Sequence, residues 1–138
     1  MNRTRLLAAL LSMCAFSAFA APAPYLTIDH SSDSLMDNAT AQAVWRDHLP
    51  TKLTRLFPVK KWGFVSQVEG GFDDAKVCVV TARVMMMPRS GNSLLFKPSN
   101  TATAFGSQAG ATMQQCRELA KLKLHEAVGA VESKLLAR

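Results

Sequence analysis

The sequence predicts an exported α+β domain, and three observations lead to this prediction. Apolar residues recur at helical spacing near the start and again at the end of the chain, with alternating segments between them. The first twenty residues have the pattern of a cleavable leader. Two cysteines beyond that leader, Cys78 and Cys116, fall on the apolar sides of a predicted strand and a predicted helix. We therefore expect an N-terminal helix, a three- to four-stranded antiparallel meander and a long C-terminal helix tied to the sheet.

Residues 1–20 have the parts of a signal peptide. Arg3 and Arg5 give a basic start, a short apolar run follows, and Ala18-Phe19-Ala20 supplies the small-x-small pattern of a cleavage site. The apolar run is shorter than the roughly 20 residues that a membrane-spanning helix needs. We predict cleavage after Ala20, a periplasmic or secreted protein, and no transmembrane segment.

The rest of the chain is long enough for one domain. Residues 21–24 are predicted as a short linker and residues 25–138 as a single α+β domain. Lipid attachment at Cys14 is the alternative to simple cleavage, since the residues before it loosely follow a lipoprotein pattern. Met13 stands where that pattern requires a small residue, which favours cleavage after the leader.

A short strand is predicted within residues 25–32, and a helical segment follows it. Asp37 or Asn38 is suited to cap this segment. Pro50 lies within the helical pattern, so either the helix kinks there or a second helix starts with this proline in its first turn. Pro58 ends the segment. One face collects the apolar residues at helical spacing, which are Ala41, Trp45, Leu49, Leu53 and Leu56.

Alternation predicts the sheet. The first long strand places Trp62, Phe64 and Val68 on one face, and Gly70-Gly71, then Asp73-Asp74, break the strand and turn the chain back. The next strand has one wholly apolar face and one mixed face, a pattern typical of a central strand. Residues 93–97 are predicted as a third strand, residues 101–105 as an extension or fourth strand, and residues 106–112 as a loop. The wholly apolar face consists of Cys78, Val80, Ala82, Val84 and Met86.

A long final helix is predicted from Thr112 to Leu136. Its apolar stripe includes Met113, Cys116, Ala120, Leu124, Ala127, Val128, Val131 and Leu135. Because Cys116 lies on this stripe and Cys78 on the apolar face of the central strand, a disulfide between them is predicted. Such a bridge stabilises the fold by about 4 kcal/mol in the chain-entropy model.

Composition and motifs exclude several function classes. The formal net charge is +6, and Arg3 and Arg5 of the leader contribute two of these charges. The remaining basic residues are scattered, which favours an acidic protein partner over nucleic acid. His30, His48 and His125 lie on separate elements without metal-ligand spacing, and no serine or acidic pair forms a catalytic motif. We expect no enzyme activity and no cofactor.

By elimination, the sequence predicts a non-catalytic exported binding protein. The most concrete form is a small periplasmic inhibitor or immunity-type protein that occludes a partner, with a homodimer as a further option. Aromatic residues near loops and a cation beside flexible apolar side chains suit protein contacts. The alternative is a soft-metal protein that holds copper between Met85 and Met87. The candidate binding residues are Trp62, Phe72, Arg83, Met85, Met87 and Arg89.

Overall fold

A computed structural model describes residues 25–49 and 51–137, and its fold is α+β as predicted. The predicted leader, its cleavage site, Cys14, the linker and Pro50 lie outside the described residues. The elements in chain order are β1 (Thr27–Asp29), α1 (Asn38–His48), α2 (Thr51–Leu56), β2 (Trp62–Phe72), β3 (Val77–Ser90), β4 (Ser93–Leu94), β5 (Asn100–Ala109) and α3 (Met113–Leu136).

Five described strands form a mixed sheet with β3 at its centre. β2 and β5 flank β3 and are both antiparallel to it, which confirms that β3 is a central strand. β1 pairs with β2 in parallel, so the sheet is not a purely antiparallel meander. The reason is the connection: α1 and α2 carry the chain back to the same end of the sheet, as parallel neighbours require.

The strand after β3 differs from its prediction. Only Ser93–Leu94 of the predicted third strand pairs with β3, while Asn100–Ala109 forms a long strand that includes residues expected in a loop. Gly106 explains the difference, because the side chains of Leu119 and Lys123 lie over it where a Cβ atom would stand. Small residues on β5 thus allow α3 to pack closely, and this packing outweighs their low strand propensity.

The helices cover one face of the sheet, and we call it the covered face. The predicted apolar side of β3 is buried there against α1 and α3. Cys78 and Cys116 form the predicted disulfide, with 5.7 Å between their Cα atoms. The bridge therefore ties α3 to the middle strand. Trp45 and Phe64 also meet in this core, with ring centroids 5.3 Å apart.

The helix ends follow capping rules. Asp37 caps α1 by accepting a hydrogen bond from the Thr40 amide, and Thr112 begins α3 in a capping box with Gln115. α1 and α2 are separate helices, so the segment is broken as one of the two alternatives predicted. Leu56 and Met113 were expected on buried stripes but are exposed, since each lies in a terminal turn beyond the packed region.

A buried polar chain connects α1 to the first two strands. Trp45 Nε1 donates a hydrogen bond to Ser66 Oγ at 3.2 Å, and Ser66 Oγ donates to Asp29 Oδ1 at 2.7 Å. Ser66 is fully buried, so these partners satisfy its hydroxyl away from water. In residues 25–49 and 51–137, no helix has the length and hydrophobicity that a bilayer crossing requires.

Candidate binding site

The second face of the sheet, which we call the open face, points away from α1 and α3. Side chains alternate along a strand, and paired residues of neighbouring strands share a face, so the register defines its members. The open face consists of Ile28 on β1, Gly63, Val65, Gln67 and Glu69 on β2, Val79, Thr81, Arg83, Met85 and Met87 on β3, and Thr101, Thr103, Phe105 and Ser107 on β5.

One end of the open face has a small apolar cluster of its own. Val65, Met85 and Met87 are buried together, and Ile28 and Leu94 pack against them. The two methionines are thus covered more fully than the mixed pattern of β3 suggested. Their cover is the chain after β3, which folds over the sheet at β4.

Gly63 makes this cover possible. It pairs with Met87 on the open face, and a Cβ atom added to it would stand 2.7 Å from Cδ2 of Leu94. Because real side chains do not approach so closely, Leu94 occupies the space that the missing side chain leaves. The glycine therefore determines where the covering segment rests.

A groove of about 320 Å³ runs beside this cluster. Its apolar part is formed by the cluster residues, and Arg83, Gln67 and His30 give it a polar part. Phe96 lines it from the segment after β4, with 86% of the residue exposed. A groove that joins apolar walls to a few polar groups is typical of binding sites.

Arg83 supplies the positive charge of the groove. It is exposed, and among the described residues it forms no ion pair. Glu69 is near it on the same face, but its carboxylate accepts a hydrogen bond from Gln67 Nε2. The guanidinium of Arg83 is therefore available to a carboxylate on a partner.

The structure brings three of the six predicted binding residues together, namely Arg83, Met85 and Met87. Trp62 lies on the covered face, where its ring meets Phe57 edge-on at 5.9 Å. Phe72 is at the far end of β2, opposite Cys78.

Arg89 ties two loops together. Its Nη1 donates to the Val59 carbonyl at 2.9 Å, and its Nε donates to the Gly91 carbonyl at 2.7 Å. These hydrogen bonds to backbone carbonyls occupy the guanidinium. Arg89 therefore holds the loops at Val59 and Gly91 together beside β4.

Sequence reasoning missed six groove residues, which are Ile28, His30, Val65, Gln67, Leu94 and Phe96. Alternation along β2 puts Val65 and Gln67 on the side away from the core. This was the available signal, because the two residues pair with Met85 and Arg83 on β3. Leu94 and Phe96 reach the groove only because the chain after β3 folds back, and no periodicity indicates that fold.

The geometry separates the groove histidine from the two thioethers. The His30 amide donates to the Ser66 carbonyl, which places His30 beside Gln67, whereas Met85 and Met87 pair with Val65 and Gly63. At about 3.3 Å per residue, His30 is offset from the methionines by about 7 and 13 Å along the sheet. A compact soft-ligand set would require these side chains to converge.

A polar cluster joins helix α1 to helix α3. His48 Nε2 is 2.9 Å from His125 Nδ1, and His48 Nδ1 is 3.2 Å from Glu132 Oε2. Partial burial, then the neighbouring His48 and Lys121, lower the pKa of His125. The His48–His125 bond requires one of the two facing nitrogens to carry no proton, so a second positive charge breaks it.

A solved structure from Caulobacter crescentus is similar to this chain in outline. It is described as a candidate lipoprotein, and the alignment covers 83% of this chain and 88% of that one. The TM-score is 0.46 and the sequence identity is 9%. No family model matches the chain, and no curated protein does.

The disulfide indicates the compartment. Bonds of this kind form and persist outside the reducing cytosol, and Cys78 and Cys116 are joined while fully buried in the core. The protein is therefore one that is exported.

Proposed function

We propose that this exported protein is a non-catalytic binding protein, and that it occludes a partner protein as a small inhibitor or immunity-type protein does. The observation that carries the proposal is the open-face groove, which joins an apolar cluster to the exposed cation Arg83. The other face of the sheet is occupied by α1 and α3, which leaves the open face to meet a partner.

The proposed occupant is a loop of the partner that carries an apolar side chain next to an aspartate or glutamate. The apolar side chain lies against Met85, Met87 and Phe96, and the carboxylate meets Arg83. Methionine side chains adapt their shape to such contacts, and an arginine fork binds a carboxylate with two parallel hydrogen bonds. Burial of both groups at one site gives the kind of anchor that dominates protein interfaces.

The chemistry of the groove supports binding over catalysis. Its polar side chains are Arg83, Gln67 and His30, and none of its lining residues is a serine, cysteine or threonine nucleophile. Ser66 lies one residue from the groove lining, but its hydroxyl is buried on the covered face and committed to Asp29.

Capture from envelope extract of the source organism tests the proposal when variants are included. We expect the wild-type protein to retain a stoichiometric partner that Arg83→Glu and Phe96→Ala fail to retain. Arg55→Glu and Phe105→Ala are the matched controls, because each changes an exposed residue of the same type outside the groove. Equal capture by all five proteins, or no stoichiometric partner for the wild type, contradicts the proposal.

Copper binding by Met85 and Met87 is the alternative, and the presence of both thioethers in the lining of one groove is the observation in its favour. Cu(I) titration of the wild type against the Met85→Leu/Met87→Leu variant separates the two functions. The proposed protein–protein role predicts equal, negligible affinity, because the thioethers are packed into an apolar cluster. Tight binding that the double variant loses would replace that role with metal transport.

A further inference from the structure

β5 forms an unprotected edge of the sheet. β3 is its only strand partner among residues 25–49 and 51–137, so every second residue of β5 directs its backbone N–H and C=O groups away from the sheet. No other backbone hydrogen bond of the described chain uses those groups. The strand is ten residues long, and edges of this length normally need a device that prevents pairing.

The sequence of β5 contains none of these devices. The segment NTATAFGSQA has no charged residue and no proline. Lysines, inward-pointing charges, prolines and very short strands are the usual ways in which proteins block an exposed edge. β1, with three residues, is protected by its shortness. Of the two edges, β5 is therefore the one whose length and composition allow another strand to pair with it.

Apolar side chains lie on both sides of the middle of this edge. Phe105, 70% exposed, projects from the middle of β5 on the open face. On the helix side, the partly buried side chain of Leu119 lies over Gly106, the next residue of the strand.

We infer that a second copy of this chain pairs with β5, strand β5 against strand β5 in antiparallel order about a twofold axis at Phe105. This contact is separate from the proposed groove. The axis places Phe105 opposite Phe105 of the other copy, beside Gly106 and the Leu119 side chain that covers it on the helix side. Thr101, Thr103 and Ser107 then extend outwards from an apolar centre.

Charge balance is compatible with a second copy as the occupant. Lys123 and Glu126 lie on the same flank of α3 and form an ion pair of 2.7 Å. Because this pair carries no net charge, the flank of α3 beside β5 meets its own copy without net repulsion. The uncharged strand meets its own copy without repulsion, and pairing uses up the edge in both copies, which closes the assembly at two.

The area agrees with a stable dimer. Ten strand residues extend about 33 Å, and the sheet and helix layers together are about 20 Å deep, which gives roughly 600 to 700 Å² per copy. Standard interfaces bury about 800 Å² per partner. A dimer through β5 is therefore close to that size.

Sedimentation equilibrium of the processed protein tests the inference. We expect a dimer for the wild type, and a weakening of at least about 100-fold for Phe105→Glu and Phe105→Lys, since each places two like charges face to face on the axis. Leu56→Glu is the matched control, because Leu56 is 52% exposed on α2, and it should leave the dimer unchanged. Circular dichroism checks that all variants remain folded.

A monomeric wild type overturns the inference, as do assemblies that grow beyond two copies or variants that associate as the wild type does. A monomer whose β5 amides gain hydrogen-exchange protection only with a captured partner assigns the edge to that partner instead. Arg83→Glu is expected to stay dimeric, so loss of the dimer and loss of the groove function are told apart.

Discussion

The two faces of the sheet are built from the same strands and differ in how completely they are apolar. On the covered face of β3 every side chain from Cys78 to Met86 is apolar and buried. On the open face of β3, Val79 is 41% exposed, Arg83 is exposed, and only Met85 and Met87 are buried. The helices pack against the unbroken apolar face, whereas the interrupted face leaves a groove that Arg83 lines with a positive charge.

This difference separates stability from recognition. Loss of a buried apolar group costs free energy because the cavity left behind collapses only in part. A change at an exposed position costs little in stability and acts through whatever binds there. Substitutions on the two faces should therefore have different consequences, and the following predictions run from the largest expected effect to the smallest.

Removal of the disulfide should have the largest effect. The bridge closes 38 residues of chain, and the Cys78→Ala/Cys116→Ala variant should lose about 4 kcal/mol of unfolding free energy because the unfolded chain gains conformational freedom. Urea denaturation of the oxidised wild type and of this variant measures the difference. A loss below about 1 kcal/mol would contradict the central place given to the bridge.

Two adjacent valines on β3 compare the faces directly. Val80 is fully buried on the covered face, and Val79 is its neighbour on the open face. Val80→Ala should lower the unfolding free energy by about 2 kcal/mol, whereas Val79→Ala should change it by less than about 0.5 kcal/mol. Equal effects in urea denaturation would mean that the open face is covered in solution.

Asn100 is an exception on the covered side. It pairs with Met86 at the start of β5 and is buried, yet its side-chain amide has no hydrogen-bond partner among the described residues. Asn100→Val should raise the unfolding free energy by about 1 kcal/mol, because it removes an unsatisfied polar group from a strand position. Thermal denaturation that shows a clear loss of stability would reveal a partner for that amide.

The contact between α1 and α3 should depend on pH. His48, Lys121 and Asp47 are the charged or titratable groups beside His125, and its pKa in the folded protein lies below the ordinary 6.5. The unfolded chain therefore binds the proton more readily, and folding stability falls as pH decreases below about 6.5. The melting temperature should fall with pH in this range for the wild type and fall less for His125→Gln. A steeper fall for the variant would contradict the assigned direction.

Local patterns predicted the parts of the fold that local forces determine. Thr112 and the stripe from Cys116 to Leu135 specified α3 to within a residue, because capping and helical spacing act along one stretch of chain. The disulfide followed because Cys78 and Cys116 belong to the two faces that must meet. The burial of Phe64 and Val68 followed from alternation alone.

Features that depend on chain direction or distant packing were not predictable in this way. Alternation is the same for parallel and antiparallel strands, so Thr27–Asp29 gave no sign of its parallel pairing. Gly106 and Ser107 have loop propensity and become strand because α3 packs over them. His48 and His125 are 77 residues apart, and the groove needs Leu94 and Phe96 from a folded-back segment.

The central claim is that the open face binds a partner while the covered face stabilises the fold. Calorimetric titration of the captured partner into the wild type, Arg83→Glu and Arg55→Glu, together with urea denaturation of each, tests it most directly. The account predicts an affinity loss of about 100-fold for Arg83→Glu alone, with the three unfolding free energies within about 0.5 kcal/mol. Equal affinities for all three proteins would contradict it.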